Sequence, residues 1–203
     1  MGLGDSRIGV AMARSLESIH DDLLVLRCQS GETEALEELI GSWQPRLWRH
    51  ARRLTGRRDA AWDVLQETLL AIVRNLHRLD DPALFRTWAY RIATNKSADW
   101  TRKQQRDRKL AEAVANDGDP RSLGIQQQRD FDSTNEPNDD VKRLHSAMGE
   151  LSGDRQTILV MHYLDGMGIA EISVALDIPA GTVKSRLYHA RQQLKELLER
   201  TES

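Results

Sequence analysis

Residues 168–187 read Gly168-Ile-Ala-Glu-Ile-Ser-Val-Ala-Leu-Asp-Ile-Pro-Ala-Gly-Thr-Val-Lys-Ser-Arg-Leu187, two helical patterns broken by a turn. The first pattern predicts a short helix with Ile169, Ile172 and Leu176 facing inward. Pro179 stops it, because proline lacks an amide and restricts the residue before it. Gly181 and Thr182 open a second helix, with the threonine hydroxyl near its free amides. That helix is predicted to run to about Arg200, on an inner stripe of Val183, Leu187, Ala190, Leu194 and Leu197. Two helices at a steep angle across a short turn bring the start of the second within reach of a DNA major groove. Thr182, Ser185 and His189 point away from the inner stripe, flanked by Lys184, Arg186 and Tyr188. Arginine can fork onto guanine, serine and histidine can donate or accept, and lysine can neutralise phosphate. A plain helical hairpin with a solvated polar face has the same local pattern.

The rest of the chain is also helical in pattern, with no alternating strand signal. Leu36, Leu39, Ile40, Trp43 and Leu47 recur at helical spacing, as do Trp62, Leu65, Leu69, Ile72 and Leu76. A third helix begins after Asp81-Pro82, with Phe85, Trp88, Ala89 and Ile92 on one face, which makes Trp88 a core residue. Further on, Val141, Leu144, Met148 and Leu151 form a stripe, followed by Ile158, Leu159, His162 and Tyr163. Between these groups, apolar periodicity almost vanishes. Asp117-Gly-Asp-Pro120, Gln126-Gln-Gln128 and Ser133-Thr-Asn-Glu-Pro137 read as linker. The expected fold is all-α: two small helical domains joined by an acidic flexible linker. The boundaries are an extension over 1–20, a first domain over 21–106, a linker over 107–138 and a second domain over 139–203.

The net charge of −2 hides a strong segregation. Six arginines and no acid lie between Arg46 and Arg58. Eight basic residues against Asp99 and Asp107 lie between Arg86 and Lys109. Eight acids against Arg121 and Arg129 follow between Ala111 and Asp140. Basic blocks favour phosphate, and the acidic block masks them in the total. Apolar runs fall well short of the roughly 18 residues that span a bilayer, so no membrane insertion is expected. The apolar stretch Ile8–Ala13 is too short for a signal peptide. The single cysteine, Cys28, has no internal disulfide partner and reads as a structural thiol in a reducing, cytoplasmic setting. The six histidines stand at no ligand spacing, and there is no phosphate loop or nucleophile constellation. No metal, cofactor or catalytic residue is therefore expected, and the protein is not read as an enzyme.

Two blocks resemble the extracytoplasmic-function group of the bacterial sigma-70 family. Leu151-Ser-Gly-Asp-Arg-Gln-Thr-Ile-Leu159, Tyr163-Leu-Asp-Gly166, Ala170-Glu-Ile-Ser173 and Gly181-Thr-Val-Lys-Ser-Arg-Leu187 look like sigma region four. Asp63-Val-Leu-Gln-Glu-Thr68 and Phe85-Arg-Thr-Trp-Ala-Tyr-Arg-Ile-Ala-Thr-Asn95 look like region two. The resemblance implies a sigma factor whose partners are promoter DNA and core RNA polymerase, gripping the clamp helices of the largest subunit and the flap of the second-largest. An anti-sigma protein is a further partner common in the family. By the same resemblance, Asp63, Gln66, Glu67, Leu70 and Arg74 bind the polymerase. Arg78, Asp80, Asn95, Lys96, Asp99, Arg102, Lys103 and Arg106 serve the minus-ten element. Thr182, Lys184, Ser185, Arg186 and His189 serve the minus-thirty-five element. The sequence departs from the family pattern at Trp62, at Leu69 and the 71–73 stretch, at Asp177 where glycine is usual, and at His189 where arginine is usual. A self-sufficient dimeric regulator using the same helix-turn-helix is the competing function, and a helical metal protein or enzyme is a third.

Overall fold

The computed structural model describes residues 16–115 and 139–200. Readings that fall on 1–15 or 116–138, including the Ile8–Ala13 stretch and the linker motifs, lie outside the described residues. Every regular element among those described is helical: α1 (Leu16–Gln29), α2 (Thr33–Thr55), α3 (Arg58–Asn75), α4 (Phe85–Ala115), α5 (Asp139–Glu150), α6 (Gly153–Leu159), α7 (Ile169–Leu176) and α8 (Ala180–Arg200).

The first bundle packs α2, α3 and α4 against one another, with α1 across α2. Its centre is aromatic. Trp43, 1% exposed, meets Phe85 edge-on at 5.1 Å and Tyr90 at 6.0 Å. Leu39, Leu47, Leu65 and Ile72 close around them. Trp88 packs on this core from its edge, 6.1 Å from Phe85. Cys28 is partly buried on α1, and burial pushes its thiol pKa up. Glycine at 56 lets α2 end in a left-handed turn (φ 72°), its amide returning to the Arg52 carbonyl.

Three details differ from the sequence reading. The inner stripe of α3 is Ala61, Val64, Leu65, Thr68 and Ile72. Trp62 lies off it, 42% exposed and tilted against Trp48 at 5.7 Å. A 100° step per residue sets Trp62 about 60° round the helix from Leu65 and about 100° from the middle of the buried stripe, so it falls at the stripe's edge, where it is half open to solvent. Second, α4 continues to Ala115, past Arg106 and into the stretch read as linker. Third, Val141 and Leu144 are each about 40% exposed, so the α5 stripe is buried chiefly at Ala147 and Leu151.

The second bundle packs α6 and α7 on α8, with α5 behind. Ile158, Met161, Ile172, Val183 and Leu187 form its core. After α6 the backbone widens into a π-helical turn, Val160–Leu164, that ends at Asp165 and turns through Gly166 at φ 66°. α7 ends at Asp177, itself left-handed at φ 55°, ψ 47°. A non-glycine residue there carries roughly 1–2 kcal/mol of steric cost, partly returned because glycine is freer when unfolded. Asp177→Gly should therefore stabilise the fold by up to about 1 kcal/mol, read as a higher urea midpoint. The two bundles pack directly on each other, α7 against α4 and the π turn against α2.

Candidate nucleic-acid interface

The turn between α7 and α8 is held at both ends. The Ile178 amide donates to the Ser173 carbonyl at 3.1 Å, and the Ser173 hydroxyl donates to the Ile178 carbonyl at 2.6 Å. The Pro179 carbonyl accepts from the Thr182 and Val183 amides at 2.8 and 3.1 Å. The helix thus starts at Ala180, one residue before the expected Gly181, and Thr182 sits inside its first turn. Val183, Leu187 and Ala190 face the core. Lys184, Ser185 and His189 are exposed, and Thr182 and Arg186 are half-buried. Arg186 reaches across to Asp154 at 3.2 Å. Tyr188, 52% exposed, lies edge-on to His189 at 5.4 Å. The polar edge of α8 faces solvent at Lys184, Ser185 and His189, and Arg186 borders a cleft shared with Asn95 and Arg102 of α4.

On α4, Asn95, Lys96, Asp99, Arg102, Lys103 and Arg106 lie along one face, about 16 Å long at 1.5 Å per residue. All but Lys96 are exposed; Lys96 is half-buried. Asp99 pairs with Arg102 at 2.5 Å, and Lys96 donates to Glu67 of α3 at 2.9 Å. Arg78 and Asp80 are exposed in the loop before α4, so they lie some ten helical residues from Asn95 rather than beside it. That loop is built deliberately. The Asp81 carboxylate accepts from the Ala83 amide at 2.9 Å, and Pro82 starts the short 3₁₀ turn that leads into α4. From α1, the Gln29 amide donates to the carbonyls of Leu76 at 3.0 Å and Leu79 at 2.8 Å. Sequence reading had no signal for Gln29. Gln29→Ala should release the loop by about 1 kcal/mol, seen as several-fold faster amide exchange at Leu79.

Asp63, Gln66, Glu67, Leu70 and Arg74 share the exposed face of α3. The structure adds Trp62 and Val73 to that face, both 42% exposed, beside Leu70 at 54%. An apolar centre ringed by acid, amide and base has the anatomy of a protein interface.

The junction between the bundles holds the group the sequence did not reveal. Asp165, 2% exposed, accepts from His50 Nδ1 at 2.6 Å and from Arg53 Nη1 at 2.8 Å. His50 Nε2 lies 2.9 Å from the Thr94 hydroxyl. The Asp165 carbonyl accepts from Arg86 at 2.6 Å, and the Gln156 side chain donates to the Arg53 carbonyl at 3.2 Å. Burial, then the Asp165 carboxylate, raises the pKa of the neighbouring Tyr90 phenol. Among the described residues there is no group of three or more metal-ligating side chains, and no helix there is long and apolar enough to cross a membrane.

The fold is that of a two-domain helical protein with a helix-turn-helix, α7 to α8, and an exposed mixed polar and apolar face on α3. Residues 39–107 match sigma-70 region 2, and residues 142–194 match sigma-70 region 4. SigL, an ECF RNA polymerase sigma factor of Mycobacterium tuberculosis, is 33% identical over 154 residues, 75% of this chain and 82% of its own length. The ECF RNA polymerase sigma factor SigW of Bacillus subtilis is 29% identical, over 86% of this chain and 94% of its own length. Among solved structures, CnrH in complex with the cytosolic domain of CnrY superposes with a TM-score of 0.65 at 24% identity, covering 89% of this chain and 97% of that one. The sigma factor RpoE of Bartonella quintana, solved with the anti-sigma factor NepR, gives 0.59 at 21%, covering 80% and 96%. The chain belongs to the extracytoplasmic-function group of the sigma-70 family, and it is a sigma factor for promoter recognition and transcription initiation with RNA polymerase.

Proposed function

We propose that the two bundles divide the work along the sequence boundaries, 21–106 for polymerase and minus-ten DNA and 139–203 for the minus-thirty-five element. The α3 face of Asp63, Gln66, Glu67, Leu70 and Arg74 docks on the clamp helices of the largest polymerase subunit, with Trp62 and Val73 as its apolar centre. The α4 face from Asn95 to Arg106 holds the separated strand, its cations against phosphate. Arg78 and Asp80, at the loop the Gln29 side chain braces, flank the base that leaves the stack. Thr182, Lys184, Ser185, Arg186 and His189 read the minus-thirty-five duplex from the major groove, while the same bundle meets the flap of the second-largest subunit. The 23 residues between Ala115 and Asp139 reach at most about 80 Å, so both sites act on one tether and gain from effective concentration. The protein works in the cytoplasm, catalyses no bond change itself, and is open to capture by an anti-sigma protein, as RpoE is captured by NepR.

The observation that carries this reading is the solvent-facing edge of α8 directly after a braced turn, on a chain that separately exposes the α3 face. The deciding experiment adds the purified chain to core polymerase and transcribes a promoter library. Discrete new start sites are expected. Failure to associate with core would remove the reading, and tight dimeric binding to duplex by the chain alone would favour the self-sufficient regulator instead.

A further inference from the structure

We propose that the cavity lined by Arg46, Arg49, Arg53 and Arg86 is a binding site for a diphosphate group, either free inorganic pyrophosphate or the phosphate end of a nucleotide. The site lies apart from the promoter and polymerase faces assigned above, and it stands or falls independently of them.

The spacing along α2 sets up one wall. Arg46, Arg49 and Arg53 stand at i, i+3 and i+7, so they fall within about 60° of one another along about 10 Å of helix. Arg86 and Tyr90, one turn apart on α4, line the same cavity of about 270 Å³, and Leu164 and Asp165 of the second bundle border it. That volume lies just below the roughly 300 Å³ at which pockets for drug-sized ligands begin. It suits a compact anionic head, with any nucleoside left outside. Donors spread over about 10 Å outreach a single tetrahedral anion and match two linked ones.

The charge of the lining favours an anion. Four guanidiniums stand against two carboxylates, Glu17 and Asp165, an excess of two positive charges. Asp165 opposes a ligand little, because both its oxygens are taken, Oδ2 by His50 at 2.6 Å and Oδ1 by Arg53 at 2.8 Å. Glu17, 64% exposed, pairs with Arg46. Surface pairs of this kind are weak, and this one shows the cavity already drawing in a carboxylate. Arg49 is exposed and has no ion pair among the described residues. All four cations are arginines, whose planar forks take two phosphate oxygens at once.

Two buried donors at the cavity also lack acceptors. Tyr90 is 4% exposed, yet its hydroxyl makes no hydrogen bond among the described residues. Burial, then the Asp165 carboxylate, raises its pKa, so the phenol keeps its proton to donate. Arg86 gives Nη2 to the Asp165 carbonyl at 2.6 Å, while its buried Nε, 3.4 Å from Glu171, makes no hydrogen bond. Buried donors without acceptors are costly and rare. Phosphate oxygens supply the missing acceptors.

The test is calorimetry on the full chain with inorganic pyrophosphate, ADP and sulfate at matched ionic strength. Pyrophosphate should bind one to one and at least ten-fold more tightly than sulfate. ADP within ten-fold of pyrophosphate assigns the nucleotide end, and weaker ADP assigns the free anion; both outcomes support the site. Arg49→Gln changes an exposed side chain and should weaken pyrophosphate about ten-fold. Tyr90→Phe keeps the ring and its packing and should weaken it several-fold. Glu17→Gln removes the competing carboxylate and should tighten it several-fold. No measurable pyrophosphate binding, equal affinities for pyrophosphate and sulfate, or wild-type binding in both Arg49→Gln and Tyr90→Phe would overturn the proposal. So would displacement of pyrophosphate by single-stranded DNA at equal phosphate concentration, which would make the arginines a nucleic-acid track.

Discussion

Reversing two charges on α3, Asp63→Lys together with Glu67→Lys, is expected to weaken binding to core polymerase by at least about 100-fold, close to 3 kcal/mol, with no loss of helicity. Both side chains project into solvent from a helix whose opposite face carries the core. The intramolecular contact at stake, Glu67 with Lys96 at 2.9 Å, joins a 63% exposed carboxylate to a partly exposed amine. Surface pairs of this kind contribute about 0–1 kcal/mol, so the fold tolerates the change. An interface does not, because two lysines placed where the partner meets acids cost several kcal/mol through like-charge contact. A titration of labelled core with wild type and variant gives the ratio directly. Trp62→Ala serves as the companion, since it removes apolar area from the same face without altering charge and should weaken binding less. Retention of wild-type affinity by the double variant would move the polymerase contact off α3.

The sequence carried the helix-turn-helix almost in full, because its punctuation is local. Pro179, Asp177 and the run from Val183 to Ala190 act within one turn of where they stand. The polar face of α3 was equally legible, since a helix keeps its sides in register. α1 was not, because its leucines lie on both sides: Leu24 and Val25 are buried while Leu16, Leu23 and Leu26 are exposed, which erases the amphipathic signal. Trp62 misled for a related reason, as a large aromatic weights whichever stripe it is assigned to. The His50–Asp165–Arg53 network was invisible in principle. His50 and Asp165 are separated by 115 positions, and each in isolation reads as a scattered polar residue. Asp165 even fell within the quoted Tyr163–Gly166 motif, yet nothing in that motif names a partner on α2. Contacts between bundles depend on how two finished surfaces meet, and sequence periodicity describes only one surface at a time.

Arg186→Ala is expected to lower binding to the minus-thirty-five duplex by roughly 1–3 kcal/mol if the guanidinium forks onto a base. The structure adds a competing partner that sharpens the prediction. Arg186 is held by Asp154 at 3.2 Å, its side chain partly exposed at 40% and that of Asp154 largely exposed at 74%. This pair is worth at most about 1 kcal/mol, less than a bidentate guanine contact, so DNA wins the arginine from the acid. Asp154→Ala should therefore change duplex affinity in the opposite direction, tightening it by less than about 1 kcal/mol, because the arginine starts unencumbered and an acid near phosphate is gone. A panel of single-base promoter variants then separates the roles of Arg186. Loss confined to one position marks base readout. Loss spread evenly over all sequences, with a salt slope lower by about 1, marks a phosphate contact. Full retention of affinity in Arg186→Ala would leave that side chain serving Asp154 alone and shift the reading of the groove to Ser185 and His189.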